Sequence, residues 1–195
     1  ESRDWSSDVC SSDLAMETKN LIIRESTFND CSYFADWESD PAVTEFFSID
    51  ESRDYEEVVT EFIENSNDDT KRQFTILQKP SDIPIGRIYL SRLDSHSDSV
   101  DVTRIYIADP KLRNQGLGRE ALLSILEYAF ISLHMERVTI DHFVKNDVAA
   151  HLYDKLGFKS EGILRSATKK NGKYYDLHLK SMIRAEYIGL DRTLV

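Results

Sequence analysis

Apolar and polar residues along this chain follow two rhythms, and the places where one gives way to the other outline the fold. Leu21-Ile22-Ile23 is a short strand pattern ending in Arg24-Glu25. In "STFNDCSYFADWESDP", residues 26–41, apolar positions recur at helical spacing, with Thr27 or Asn29 as the N-cap and Pro41 as the stop. A second helical stretch, "SRDYEEVVTEFIENSN", residues 52–67, sets Tyr55, Val58, Val59 and Phe62 on one face and acids on the other. The runs "QFTILQ" and "IGRIYLSRL" read as strands either side of a Pro/Ser/Asp turn, and "SVDVTRIYIADP" as a third strand closed by Asp109-Pro110. After a glycine loop comes a helix whose stripe holds Leu122, Leu126, Ala129, Phe130 and Leu133. "RVTIDHF" is a strand, "DVAAHLYDKLG" a short helix ended by Gly157, and "YDLHLKSMI" a last strand. "KKNGK" between Ala167 and Tyr174 is a hairpin turn. These elements predict one α+β domain, a sheet with helices on both faces.

The first fifteen residues do not fit this pattern. "DWSSDVCSSDL", Asp4 to Leu14, has neither rhythm, and it resembles one reading frame of a common sequencing-adapter oligonucleotide. Residues 1–15 therefore read as an assembly scar, or otherwise a disordered tail, with a single domain over 16–195. Setting aside Arg3, Glu1, Asp4, Asp8 and Asp13 changes 24 basic and 35 acidic residues to 23 and 31, a net charge of −8. Acidity argues against a nucleic-acid partner, and no run approaches the roughly 18 apolar residues of a membrane span. Outside the scar Cys31 is the only cysteine. That points to a reducing, cytoplasmic setting and away from disulfides or a cysteine metal site, and no metal is expected.

The chemistry concentrates in "LRNQGLGRE", residues 112–120. A glycine loop opening a helix gathers unpaired N–H groups at the positive end of the helix dipole, which suits an anion. Gly116 and Gly118 let backbone approach a phosphate closely, and Arg113 adds a charged donor. The pattern lacks the third glycine of a dinucleotide fingerprint and the Gly-Lys-Ser/Thr of a nucleotide P-loop. Taken alone, a plain helix start explains it as well as a ligand site does.

Downstream stands "NDVAAHLYDKLGF", Asn146 to Phe158. Together, Arg113-x-x-Gly116-x-Gly118 and Asn146-x-x-Ala149-x-x-Leu152-Tyr153-x-Lys155-x-Gly157-Phe158 resemble the GCN5-related N-acetyltransferase (GNAT) superfamily. The stretch "EGILRSATKKNGKYYDLHLKSMIRAEY" is similar to its ribosomal-protein-alanine and spermidine acetyltransferase subgroup, and the resemblance covers roughly residues 20 to 188. It implies a mixed, mostly antiparallel sheet splayed at the cofactor site, and acetyl-CoA as cosubstrate. Arg113, Asn114, Gln115, Gly116, Leu117 and Gly118 would hold the pyrophosphate, with Arg119 as helper. Ile105, Tyr106 and Ile107 would offer strand backbone to the pantetheine. Asn146 and Lys155 match cofactor contacts, although Asn146 equally suits an Asx cap and Lys155 a solvated helix charge. Tyr153 matches the general acid that protonates the departing thiolate. The competing reading of Tyr153 is an aromatic packed beside Leu152 and Leu156.

The resemblance leaves the base open. Many relatives place a glutamate where this chain has Thr103, which cannot serve. Asp101, the acids near "FFSIDESRDYEE" or a water chain remain as alternatives. The acceptor is open too: a small-molecule amine, polyamine-like or other, or a peptide N-terminus. The acidic, aromatic stretch "TEFFSIDESRDYEE" offers Glu45, Phe47, Asp50 and Glu51 to a cationic amine, while Arg87 and Arg92 on the neighbouring strand argue against a polyamine. The rival from another class is a CoA-binding regulatory or scaffold module without catalysis. Homo-oligomers are compatible with the resemblance, and a membrane partner is not expected.

Overall fold

The computed structural model describes residues 15–49 and 53–190. Strands β1 (Ala15–Glu17) and β2 (Leu21–Glu25) are followed by helices α1 (Cys31–Glu38), α2 (Pro41–Thr44) and α3 (Tyr55–Ser66). A meander of β3 (Arg72–Gln78), β4 (Ile83–Asp94) and β5 (Ser99–Ile107) leads to α4 (Leu117–Glu127). Then come β6 (Arg137–Phe143), α5 (Asp147–Lys155), β7 (Lys159–Lys170), β8 (Lys173–Ile183) and α6 (Arg184–Ile188). The eight strands form one sheet in the order β1-β2-β3-β4-β5-β6-β8-β7. Every neighbouring pair is antiparallel except β5 with β6. The α4 crossover between those two makes the parallel pair, because parallel neighbours need a long connection.

Alternation along the strands assigns the two faces. Ile88, Leu90, Val100, Val102, Val138 and Ile140 join Leu122, Ile125 and Leu126 of α4 and Leu156 of α5 in the main core. On the opposite face Cys31, Phe34, Val58 and Phe62 of α1 and α3 form a second cluster. Arg87 belongs to that face, its guanidinium 4.3 Å above the Phe34 ring. Helices thus cover both faces, as the periodicity predicts.

Several local expectations change. Tyr55 is 47% exposed, so the α3 stripe narrows to Val58 and Phe62 with Val59 beside them. The helix after the glycine loop ends at Glu127 and continues as a π-helical turn, Tyr128–Ser132. Ala15 already pairs with Arg24, so the sheet begins one residue before Met16, while residues 1–14 lie outside the described residues. β7 had no clear signal of its own. Nine of its twelve residues are exposed, so no buried side imposes alternation on the sequence.

Candidate active site

Two breaks in the sheet create the site. Between β4 and β5 the register slips after Tyr89↔Arg104, leaving Thr103 as the extra residue of a bulge. On its other side β5 pairs with β6 only from Ser99↔Arg137 to Val102↔Ile140. Beyond Ile140, β6 follows β8 while residues 104–107 follow β4, and the two strands part. The β6-facing edge of Thr103 to Tyr106 therefore presents strand backbone that no neighbouring strand covers. Ile107 is different, because its carbonyl accepts Arg113 Nε at 3.2 Å. Gly86 permits this half of β5 to lie against β4, since a Cβ there would stand 2.2 Å from the Tyr106 carbonyl oxygen.

The glycine loop opens just past the end of β5. Asn114 has φ +61° and Gly116, the N-cap of α4, φ +84°. These left-handed residues turn the chain so that the first-turn N–H groups of α4 face outward, and the first α-helical bond runs from Glu120 N–H to the Gly116 carbonyl. Gly118 needs no unusual φ, and a Cβ there or at Gly116 would meet nothing within 4 Å. Neither packing nor backbone strain explains Gly118, whereas a phosphate resting on the helix start would. A shallow cleft of about 350 Å³ adjoins the loop, with Lys19, Gln115, Gly116 and Arg119 in its lining.

The structure places Arg113 differently from the sequence expectation. Its guanidinium donates to the carbonyls of Ala42 (3.0 Å), Ile107 (3.2 Å) and Ala108 (3.2 Å). It braces the loop against α2 and β5, and its donors are engaged by backbone. Gln115 is similarly engaged, donating to the Lys111 carbonyl at 2.7 Å. Asn146 caps α5 by accepting the Ala149 N–H at 3.1 Å, and its amide group keeps its donors. Lys155 lies exposed in the last turn of α5, a position that suits a solvated cation.

Tyr153 is 6% exposed and lies on the side of α5 that faces the sheet. Its ring meets His142 of β6 edge-on at 5.7 Å and Phe158 at 5.9 Å. No described residue hydrogen-bonds its hydroxyl. Burial, and then the charge of Asp141, push the phenol well above its usual range, so it stays protonated at neutral pH. His142 donates through Nδ1 to the Phe143 carbonyl at 2.9 Å in the tautomer that the contact requires, while its Nε2 is buried without a partner. Burial lowers its pKa, which keeps the ring neutral. The Tyr153 and His142 rings thus meet where β6 leaves β5.

The opposite face carries a polar cluster that the sequence reading missed. Glu38 Oε1 accepts from Arg87 (2.7 Å), Arg104 (3.2 Å) and the Tyr106 hydroxyl (3.0 Å), and its Oε2 from Arg53 (3.0 Å). Glu61 accepts from Arg87, Arg104 and Arg53 as well. Burial opposes the Glu61 charge, but the three guanidinium groups outweigh it and hold its carboxyl below the ordinary range. The signal was available: Glu38 falls on the helical stripe of Cys31 and Phe34, where a charge needs a buried partner. Arg87 is fully buried within this network, so it does not present its charge to an acceptor, contrary to the expectation from sequence. Arg92 is exposed and paired with Asp101 at 2.9 Å. Of the acceptor candidates, Phe47 packs 5.6 Å from the Tyr106 ring and Glu45 is exposed nearby. Asp50 and Glu51 lie outside the described residues.

The model of the acetyltransferase (GNAT) domain family matches residues 20–159. This chain belongs to the GNAT acetyltransferase family. An uncharacterized N-acetyltransferase of Bacillus licheniformis is 26% identical over 178 residues, covering 88% of this chain and 97% of that protein. The spermidine N(1)-acetyltransferase of Vibrio cholerae is 26% identical over 175 residues, 90% of this chain and 94% of that one. A crystal structure of the Vibrio cholerae spermidine N-acetyltransferase with CoA and spermine superposes with a TM-score of 0.79 at 21% identity, covering 88% and 99% of the two chains. That likeness establishes the fold. As a GNAT protein the chain is an N-acetyltransferase with acetyl-CoA as donor. The open glycine cradle and the uncovered β5 edge fit such a ligand, which carries phosphates and amides in series. Among the described residues no helix is long and apolar enough to cross a membrane.

Proposed function

We propose that this GNAT protein moves the acetyl group of acetyl-CoA directly onto a primary amine of a small molecule, with polyamine-like amines first in line and a peptide N-terminus second. The reading rests on one observation: a buried phenol, Tyr153, with an unpartnered hydroxyl at the point where β5 and β6 separate. Backbone from Asn114 to Arg119 would hold the pyrophosphate, and the β5 edge at Ile105 and Tyr106, short of the Ile107 carbonyl that Arg113 occupies, would carry the pantetheine amides. As the amine nitrogen bonds to the thioester carbon and the C–S bond breaks, Tyr153 gives its proton to the sulfur. A CoA-binding scaffold would have no use for a phenol hydroxyl held without a protein partner at this split.

Polyamines enter through the relatives and through the local chemistry. The presumed repulsion from Arg87 disappears in the Glu38–Glu61 network. Glu45 and Phe47, beside the Trp37 and Tyr106 rings, leave an acidic and aromatic border on the acceptor side. The test is release of CoA thiol from acetyl-CoA by the full chain with spermidine, spermine, simple alkylamines and short peptides. Amine-dependent release, fastest with the polyamines, is expected. Tight acetyl-CoA binding by calorimetry with no amine-dependent release would instead establish the scaffold reading.

A further inference from the structure

We propose that Asp141 is the general base, taking the proton from the incoming ammonium group at the split between β5 and β6. This inference deepens the acetyl-transfer reading above and rests on it. Asp141 is the first residue of β6 beyond the last β5–β6 pair, Val102↔Ile140, so it sits where the gap opens. It lies two residues after Thr139 and therefore on the same face of the strand. Thr139 Oγ1 donates to Asp101 at 2.6 Å, which fixes that face as the one Asp101 occupies. It is the face opposite His142, so an amine on the α1–α3 side would meet Asp141 while Tyr153 approaches from α5.

Asp101, one of the alternatives that the sequence left open, is already engaged. It is 2% exposed, accepts from Thr103 (2.8 Å) and Thr139 (2.6 Å), and pairs with Arg92 at 2.9 Å. Thr103 in turn is bonded to Ser91 across the bulge at 2.6 Å. Asp141 has none of these ties: no described residue gives its carboxyl a hydrogen bond or an ion pair. Its pair on β8 is Leu179, which can donate nothing from its side chain. The charged and titratable groups that act on it are Asp101 from β5, Arg92 from the end of β4, and Tyr153 from α5. Burial first and the Asp101 charge second push its carboxyl up to about 6, against the pull of Arg92. A base of that strength is matched to work near neutral pH, where an ordinary carboxylate would be too weak. The neighbouring Asp101 carboxylate also favours arrival of a cation.

The protons balance. The ammonium gives one proton to Asp141, which releases it to solvent. The neutral nitrogen then attacks, and Tyr153 protonates the departing sulfur. The second nitrogen proton leaves as the amide forms and restores the phenol.

The experiment is Asp141→Asn in the full chain, assayed with acetyl-CoA and the best amine across pH 5 to 10. At pH 7, kcat/KM for the amine should fall about 10²-fold or more, the usual worth of a general base. The wild type should show an acidic limb near pH 6. The variant should lack it and climb about tenfold per pH unit, because only the amine already free can react, its pKa being ~10. Acetyl-CoA affinity should stay put. A variant with wild-type kcat/KM and the same acidic limb overturns the assignment. Failure of the acetyl-transfer reading shows up separately, as a wild type that releases no thiol with any amine. Carbon NMR of the aspartate carboxyls, assigned by the same variant, tests the base without turnover: a midpoint near 6 for Asp141 supports it, and an ordinary midpoint near ~4 overturns it.

Discussion

Two polar regions flank β5 and treat their hydrogen bonds in opposite ways. On the α1–α3 face, Glu38 and Glu61 are enclosed by Arg53, Arg87 and Arg104, and nearly every donor finds an acceptor, Arg87 Nε excepted. At the β5–β6 split, His142 Nε2 is buried without a partner, and no described residue hydrogen-bonds the Tyr153 hydroxyl or the Asp141 carboxyl beside it. At His142 Nε2 the difference carries a cost, since an unsatisfied buried polar group costs about 1–3 kcal/mol. The first arrangement ties α1, α3, β3, β4 and β5 together and holds the Tyr106 hydroxyl, hence the strand whose far edge is open. The second leaves groups ready for something that the chain itself does not supply. Satisfaction marks the support, and its absence marks the chemistry.

The comparison breaks most sharply at Tyr153. Tyr153→Phe removes an oxygen that has no partner, so the melting temperature should hold while kcat falls about 10²–10⁴-fold. KM for acetyl-CoA should move little, because the phenol acts on charge that develops only in the transition state. A near-normal kcat would reduce the ring to packing. Glu38→Ala should do the reverse. It strands Arg87 and Arg104, and breaking such a buried pair costs about 3–5 kcal/mol, read as a lower urea midpoint with unchanged m. If that variant were as stable as wild type, the network would not be the support described here.

A smaller effect is expected at the loop. Gly118→Val adds a side chain into open space, so folding should persist, but acetyl-CoA binding by calorimetry should weaken about tenfold or more, roughly 1.4 kcal/mol. Equal affinity in the folded variant would move the phosphate elsewhere. The smallest effect sharpens the comparison through pH. Glu61 is held low, so its contribution to stability is present above the unfolded value of ~4.3 and is lost as pH falls through its lower folded value. Asp141 is raised to about 6, so its ionisation costs stability as pH rises from ~4 through 6. Asp141→Asn should therefore raise the melting temperature at pH 8 by about 2–4 °C, as ~1 kcal/mol would, and leave it unchanged at pH 4. A uniform shift at both pH values would remove the burial argument. It would also separate the stability effect from the loss of rate, as expected where a site is held at some cost to the fold.

The sequence alone determined those elements whose signals are local. The strand and helix rhythm from Leu21 to Phe158, the left-handed turn at Gly116 and the Asn171-Gly172 hairpin depend on residues close in the chain. Motif spacing carried the glycine loop and Tyr153 for the same reason: each motif is a single strand, loop or helix. Tertiary structure decided what arises between distant segments. Arg113 reads as a ligand donor until the carbonyls of Ala42 and Ala108 are brought to it. Arg87 reads as an exposed charge until Glu38, 49 residues earlier in the chain, closes over it. Asp141 looks like one more polar residue of an alternating strand, because nothing in "RVTIDHF" records that β5 leaves β6 after Ile140. Local propensity and periodicity act over a few residues, whereas pairing, burial and the pKa shifts they cause depend on which remote groups meet. The scaffold was therefore written along the chain, and the acid–base character of its site was set only by folding.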